Sequence, residues 1–172
     1  MKTGLGFLLG CICALAVVAL VGYLSIVNGW IPARGDEPAG DFEKWAAHHA
    51  LHAVLEREAP TQSPIPADEP NLMAGAKLYA DQCAGCHGAP KNPTPAFANG
   101  FIPGPTLFGN GDTVTDDPEG YTYWKIEHGI KFTGMPAFKG QLKENEIWQL
   151  SMFLKHMDKL PPKVETLWKN MH

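Results

Sequence analysis

Residues 5–27 form a run without a charged side chain, and this run limits the possible folds more than any other feature of the sequence. At a rise of about 1.5 Å per residue, a helix of this length crosses a hydrocarbon core of about 30 Å. We therefore predict a transmembrane anchor in residues 1–29. Lys2 precedes the run, and Arg34 and two acidic residues follow it, so the positive-inside rule weakly predicts a cytoplasmic N-terminus. The rest of the chain then lies on the periplasmic or extracytoplasmic side.

Two other interpretations of the apolar run remain open. A cleaved signal peptide has an apolar region of only about 7–15 residues that ends at a small-x-small site, so the uninterrupted length favours retention. Leu8-Leu9-Gly10-Cys11 faintly resembles a lipoprotein cleavage site, but few apolar residues precede it. Free cysteine behaves as a small apolar residue, which suits Cys11 and Cys13 on a lipid-facing helix.

The chain after the anchor is predicted to be all-α, with long loops. Many of the 15 prolines and 18 glycines of the whole sequence lie between residues 60 and 120 and favour loops there, and no segment alternates as a strand does. The predicted helices cover 41–58, with Asp41 as the N-cap, 71–82, 121–128 and 143–158. The predicted organisation is an anchor (1–29), a periplasmic helix with a stiff proline-rich linker (30–67), one small domain (68–160) and a C-terminal tail (161–172).

The net charge of -4, with acidic and basic residues interspersed, gives no basic surface of the kind that binds nucleic acid. We therefore expect no nucleic-acid partner. Neither a Ser-His-Asp arrangement nor a phosphate-binding glycine loop is present, and no enzymatic activity of the isolated chain is expected.

Cys83-Ala84-Gly85-Cys86-His87 is a C-x-x-C-H sequence at the end of a predicted helix. This pattern is typical of covalent c-type haem attachment, in which each thiol forms a thioether with a vinyl group and the adjacent imidazole binds the iron. A thioredoxin-like redox motif needs a preceding strand, whereas the segment before Cys83 is helical. A zinc site needs a second pair of ligands, and only His48 and His52 are available.

A haem held by His87 in a closed electron carrier needs a second axial ligand. Thr133-Gly134-Met135-Pro136 places a methionine in a turn, where glycine permits close backbone approach and proline fixes φ. Met135 is therefore the predicted second ligand. The other methionines outside the anchor lie in helices or near element ends, where methionine usually fills gaps in a core.

Residues 68–160 resemble the class I cytochromes c in more than this motif. Gly75 and Tyr79 resemble the glycine and aromatic positions at which the first helix of that family crosses the last. Leu150 and Phe153 resemble their partners on the last helix. The resemblance implies one small haem domain that carries one covalently bound haem c.

Gly104-Pro105-Thr106-Leu107 is similar to the Gly-Pro-x-Leu loop of the same family. The resemblance implies that the Pro105 carbonyl accepts a hydrogen bond from His87, with Pro103 as the alternative acceptor, and that Leu107 belongs to the haem site. Such a bond fixes the histidine tautomer. Trp124, with Tyr123, is a candidate contact of the haem propionates, and packing in the core is the alternative for both.

Outside the resembling region, His48, His49 and His52 lie on the helix 41–58. His48 and His52 share a face and could bind a metal, but packing on the haem domain or on a partner is the favoured interpretation. Three lysines flank the two ligand positions and either ring the haem edge, where they would steer an acidic partner, or are simply solvated: Lys91, Lys131 and Lys139.

The sequence thus predicts a membrane-bound carrier of single electrons, whose partners are the lipid bilayer and redox proteins of the membrane. The alternative is a fixed haem subunit of a respiratory or photosynthetic membrane complex. A haem sensor, in which a gas displaces Met135, is a third hypothesis and requires a weak sixth ligand.

Overall fold

The computed structural model describes residues 2–172, with side chains from residue 4 onward. The described residues form seven α-helices and two short 3-10 turns and contain no strand, which confirms the predicted all-α class. Two compact units separate between Glu37 and Pro38. The α-helices are α1 (Lys2–Val27), α2 (Asp41–Glu58), α3 (Glu69–Gln82), α4 (Ala84–His87), α5 (Glu119–His128), α6 (Glu144–Lys155) and α7 (Pro162–Lys169).

Helix α1 makes up most of the first unit. Its segment Gly4–Val27 is long and apolar enough to cross a membrane, and none of this segment is buried within the protein. An N-terminal signal sequence has the same properties, so the helix gives only weak support to the predicted anchor.

The core of the second unit lies where α3 crosses α6. A Cβ atom added to Gly75 of α3 would lie against the Gln149 carbonyl oxygen and 2.9 Å from the Cβ of Phe153. Next to this contact, the ring centroids of Tyr79 and Phe153 are 5.7 Å apart, and both side chains are fully buried. The crossing therefore places the glycine and the aromatic residue where the family resemblance implied, with Phe153 as a partner.

The segment predicted as a C-terminal tail is instead part of the core. Helix α7 begins at Pro162 and packs on α3, with Val164 completely buried. The Trp168 ring lies edge-on to Tyr79 at 5.5 Å, and the Met171 carbonyl accepts a hydrogen bond from the Lys91 amide at 3.1 Å. Proline lacks only a donor that the first turn of a helix does not use, so Pro162 starts this helix.

The proline-rich segment before α3 is not a free-standing linker. A Cβ on Gly120 would collide with the Pro60 carbonyl, so the chain at Pro60 runs directly against the start of α5. The Ser63 amide donates to a Glu119 carboxylate oxygen at 3.0 Å. These contacts fix residues 60–63 to the start of α5, within the second unit.

Helix α2 has the predicted limits but a different N-cap. Gly40 occupies the N-cap position, Asp41 is the first helical residue, and no side chain caps the helix. Leu55, with 1% of its surface exposed, is the buried residue of α2 and anchors its C-terminal half. Asp41 therefore contributes a negative charge at the positive end of the helix rather than a capping bond.

Candidate haem-binding site

The predicted attachment residues lie together on a single helical turn. Helix α3 ends at Gln82, and the Cys83 amide still donates to the Tyr79 carbonyl at 2.9 Å. The amides of Cys86 and His87 both donate to the Cys83 carbonyl, at 3.0 and 2.9 Å. Both thiols are free, and the imidazole follows them directly, so all three donors of the C-x-x-C-H sequence belong to one rigid element.

The His87 ring is oriented by a hydrogen bond from Nδ1 to the Thr106 carbonyl oxygen at 2.8 Å. A carbonyl can only accept, so Nδ1 carries the proton and Nε2 keeps its lone pair. Burial lowers the pKa of His87, and the hydrogen bond to Thr106 offsets part of this effect. The neutral ring with a free Nε2 is the form that binds a metal.

The acceptor of this bond is Thr106, not the expected Pro105 or the alternative Pro103. The loop that presents it is held by the Leu107 amide, which donates to an Asp112 carboxylate oxygen at 3.0 Å. Successive carbonyls of an extended chain point in different directions, so a shift of one residue changes the acceptor. Pro105 and Leu107 are both half-buried beside it, and their contact with haem remains a proposal.

The chain turns sharply after His87. Gly88 has φ 75°, and a Cβ there would lie 2.5 Å from the Pro93 carbonyl oxygen, so a larger residue does not fit. The buried Tyr79 hydroxyl donates to the Gly88 carbonyl at 2.5 Å, and burial raises the pKa of Tyr79. The α3 core thereby fixes the residue next to the imidazole.

Burial, and to a smaller extent the neighbouring Cys86, raises the pKa of the Cys83 thiol to about 12. The pair follows helix α3 rather than a strand, which does not fit a thioredoxin-like motif. No group of three or more His, Cys, Asp or Glu side chains among the described residues could hold a metal ion, which does not fit a structural zinc site.

Met135 lies in a tight loop that follows α5. The Thr133 hydroxyl donates to the Ile130 carbonyl at 2.7 Å and accepts from the Met135 amide at 3.1 Å. The Ile130 amide donates in turn to the Met135 carbonyl at 3.2 Å. The Met135 side chain is half-buried against the core, so its position is defined by both backbone and packing. The role of Thr133 was missed from sequence, although a threonine hydroxyl that bonds the backbone amide two residues later is a known local pattern.

One aromatic side chain connects the methionine loop to the histidine side of the site. A Cβ on Gly134 would collide with the Phe101 ring and lie 3.1 Å from its Cγ. Phe101 directly follows the 3-10 turn Ala96–Gly100, which packs on α4. The close backbone approach predicted at Gly134 is thus made to the Phe101 ring. This contact brings the Met135 loop against the segment that contains Phe101.

Trp124 of α5 has a buried indole N–H with no hydrogen-bond partner among the described residues. Its ring centroid lies 4.8 Å from that of His128. A hydrogen bond from Arg57 and, to a smaller extent, the nearby Trp124 indole lower the pKa of Glu58, so a protein carboxylate lies close to the indole N–H. The predicted contact of Trp124 with a haem propionate stays a proposal. Tyr123 is stacked on Trp148 at 4.2 Å, as expected of a core residue.

The three flanking lysines are exposed. Lys139 lies 3.3 Å from a Glu127 carboxylate oxygen, so its charge is partly neutralised. His48, His49 and His52 lie on α2 and have no part in this site. The side chains of all three histidines are exposed rather than buried against the other helices of the second unit.

The donor set fits a covalently attached haem. Two free thiols and an imidazole with a free Nε2 lie on one turn, and a half-buried thioether lies in a loop that is connected to that turn. None of these residues is a charged ligand, and the loops between them carry apolar side chains, including Phe97, Phe101 and Leu107. Such surroundings suit a large, mostly apolar macrocycle.

One family of known proteins matches the part of the chain that holds this site. A family model described as "Cytochrome C oxidase, cbb3-type, subunit III" matches residues 70–154. A search of the curated proteins finds no match. Among solved structures, a chain of the reducing HAO-like protein complex of Kuenenia stuttgartiensis is 23% identical, with a TM-score of 0.47. The alignment covers 63% of the present chain and 54% of the solved one, so the chain spans about half the length of that relative.

Proposed function

Because the chain is a c-type cytochrome whose domain covers residues 70–154, we propose that it transfers single electrons through one haem c, with His87 and Met135 as axial ligands, outside the cytoplasm. Electron transfer by a covalently bound haem is the function that the family implies. The number of haems, the ligand pair and the location are the finer parts of the proposal.

The observation that carries the proposal is the His87 hydrogen bond to the Thr106 carbonyl. This bond holds the imidazole in the tautomer whose Nε2 faces away from the Thr106 carbonyl and can bind iron. A backbone acceptor cannot be protonated at ordinary pH, so the orientation does not depend on pH. When bound, the haem supplies an iron that cycles between Fe(III) and Fe(II).

Met135 is proposed as the second ligand because the hydrogen bonds of Thr133 hold its loop between α5 and α6. Thr133 fixes its backbone, and the loop returns to α5 through a bond from the Phe138 amide to the Ile126 carbonyl at 3.0 Å. A ligand held from both sides stays in place in both oxidation states, which keeps the structural change on electron transfer small. A thioether ligand also raises the potential of a c-type haem.

One haem per chain is proposed because Cys83 and Cys86 are the only cysteine pair outside α1. The location outside the cytoplasm rests on α1, which we propose to be a retained single-pass anchor in the cytoplasmic membrane, and on the lysine that precedes it. The domain limits 1–29, 30–67, 68–160 and 161–172 are also proposals, with residues 60–63 and α7 packed on the haem domain.

The alternative function is a fixed haem subunit of a respiratory or photosynthetic membrane complex. It is favoured by the description of the matching family, which names a subunit of an oxidase. Extraction of native membranes in a mild detergent separates the two functions, because a fixed subunit migrates with a large complex and a tethered carrier migrates alone.

A pyridine haemochrome spectrum tests the haem count, for which we expect one c-type haem per chain. A Met135→Ala variant tests the ligand. It is expected to lose the low-spin, methionine-ligated absorption and to bind carbon monoxide in the reduced state. Met157→Ala is the matched control, because Met157 is also half-buried but lies just beyond α6. The proposed ligation is wrong if Met135→Ala keeps the wild-type spectrum.

A further inference from the structure

Helix α2 carries histidines that the haem site does not use. Its contact with the rest of the second unit is made through the buried Leu55, whereas His48, His49 and His52 remain exposed. The packing of α2 on the haem domain, which the sequence favoured, is thus made by Leu55 and not by the histidines. The histidine side chains are exposed to solvent.

The three histidines are not equivalent. His48 and His52 are four residues apart on one face of α2, and their ring centroids are 4.4 Å apart. The His49 ring lies edge-on to that of His48, with centroids 5.6 Å apart, but is held by a hydrogen bond of its own. Its Nδ1 is bonded to the Trp45 carbonyl at 2.8 Å, and its ring lies 4.7 Å from the Trp45 ring. His48 and His52 thus project from the same face of α2, whereas His49 is hydrogen-bonded to the backbone of Trp45.

We propose that His48 and His52 chelate one divalent first-row transition-metal ion, which is separate from the haem iron. Metal-nitrogen bonds of about 2 Å allow two imidazoles at this separation to share an ion after small side-chain rotations. Imidazole suits Ni²⁺, Cu²⁺ and Zn²⁺, and affinity rises from Ni²⁺ to Cu²⁺. His52 also lies edge-on to Tyr121 of α5, with ring centroids 6.2 Å apart, and the side chains of both histidines are exposed.

The remaining coordination positions are open. Among the described residues there is no group of three or more histidine, cysteine or acidic side chains that could hold a metal ion. Water therefore completes the coordination in the isolated chain, and a donor from a partner protein can replace it.

A metal ion bound to both His48 and His52 crosslinks one turn of α2. The N-terminal half of the helix has almost no buried side chains, and a helix of this length is marginal without tertiary contacts. The bound metal ion therefore stabilises the N-terminal half of α2, which the buried Leu55 does not reach. Amide exchange in this half of the helix measures that stabilisation directly.

The test uses the full haem-loaded chain in detergent micelles, without a polyhistidine tag. Calorimetric titration with Ni²⁺ is compared for the wild type, His48→Ala, His52→Ala and His49→Ala. The three variants remove the same group from the same helix, and alanine favours helix formation, so folding is preserved. The haem spectrum verifies the fold, and Cys11 and Cys13 are present in every variant.

We expect the wild type to bind one Ni²⁺ per chain. His48→Ala and His52→Ala should weaken binding by at least about tenfold, and His49→Ala by less than about twofold. Ni²⁺ should also slow amide exchange across α2 in the wild type but not in His52→Ala. The proposal fails if His49→Ala weakens binding as much as the other two, if His48→Ala has no effect, or if the wild type binds no Ni²⁺.

Discussion

Replacement of Gly75 by alanine tests the helix crossing on which the haem domain is built. The added Cβ would lie against the Gln149 carbonyl oxygen, 2.6 Å from the carbonyl carbon and 2.9 Å from the Phe153 Cβ. Carbon atoms pack best at about 3.5–4.0 Å, so α3 and α6 must separate by about 1 Å. Overpacking a core costs about 1–3 kcal/mol, and the upper end applies because the obstacle is backbone.

The higher helix propensity of alanine offsets about 1 kcal/mol of this packing cost, so the unfolding free energy should fall by about 2 kcal/mol in total. For a unit of this size, that loss lowers the Tm by about 8 °C. Thermal unfolding of the haem-loaded chain, followed by circular dichroism, measures the change. Gly100→Ala is the control, because nothing lies within 4 Å of its Cβ position, and we expect a shift below about 0.5 kcal/mol. A Gly75→Ala protein that melts no lower than the wild type would refute the close crossing.

Three further predictions concern the site and the C-terminal helix. Thr133→Val removes both bonds of the hydroxyl that fixes Met135, and the reduced variant should bind carbon monoxide more readily than the wild type in a spectroscopic titration. Tyr79→Phe leaves the Gly88 carbonyl without its donor and should lower the unfolding free energy by about 1–3 kcal/mol in a denaturant titration. Deletion of 161–172 removes two buried apolar side chains, or about 3–6 kcal/mol, and should sharply reduce the yield of haem-loaded protein. Equal yields of the deleted and full-length chains would contradict the packing of α7.

The parts of the fold and site that were predictable from sequence are those with local signals. The end of α3 and the attachment turn follow from the spacing of Cys83, Cys86 and His87, because a C-x-x-C-H sequence permits few conformations once a haem is attached. Gly75 is a second case, since a glycine within a helix costs stability unless a close contact needs it. The crossing with α6 is the contact that needs it.

The parts that sequence did not predict depend on contacts between distant residues. The choice of Thr106 over Pro105 as the acceptor is set by the path of one loop and has no local signal. The contact of Gly120 with Pro60 joins segments far apart in the chain. Helix α7 had a local signal that the predicted C-terminal tail (161–172) did not use: proline is favoured at a helix start, and α7 begins at Pro162.

The attachment of residues 60–63 to the haem domain bears on the choice between a carrier and a fixed subunit. The chain from α2 onward moves with the haem domain, since Leu55 and Pro60 are both packed on it. If α1 is retained in the membrane as proposed, residues 28–40 are then the free link, and at about 3.5 Å per residue they span at most about 45 Å. Such a link lets the domain turn and dock near its anchor, so travel between distant complexes requires movement of the anchor itself in the membrane. A carrier on this link exchanges electrons only with proteins beside its own anchor, so the two functions differ in how long the contact lasts rather than in which partners lie within reach.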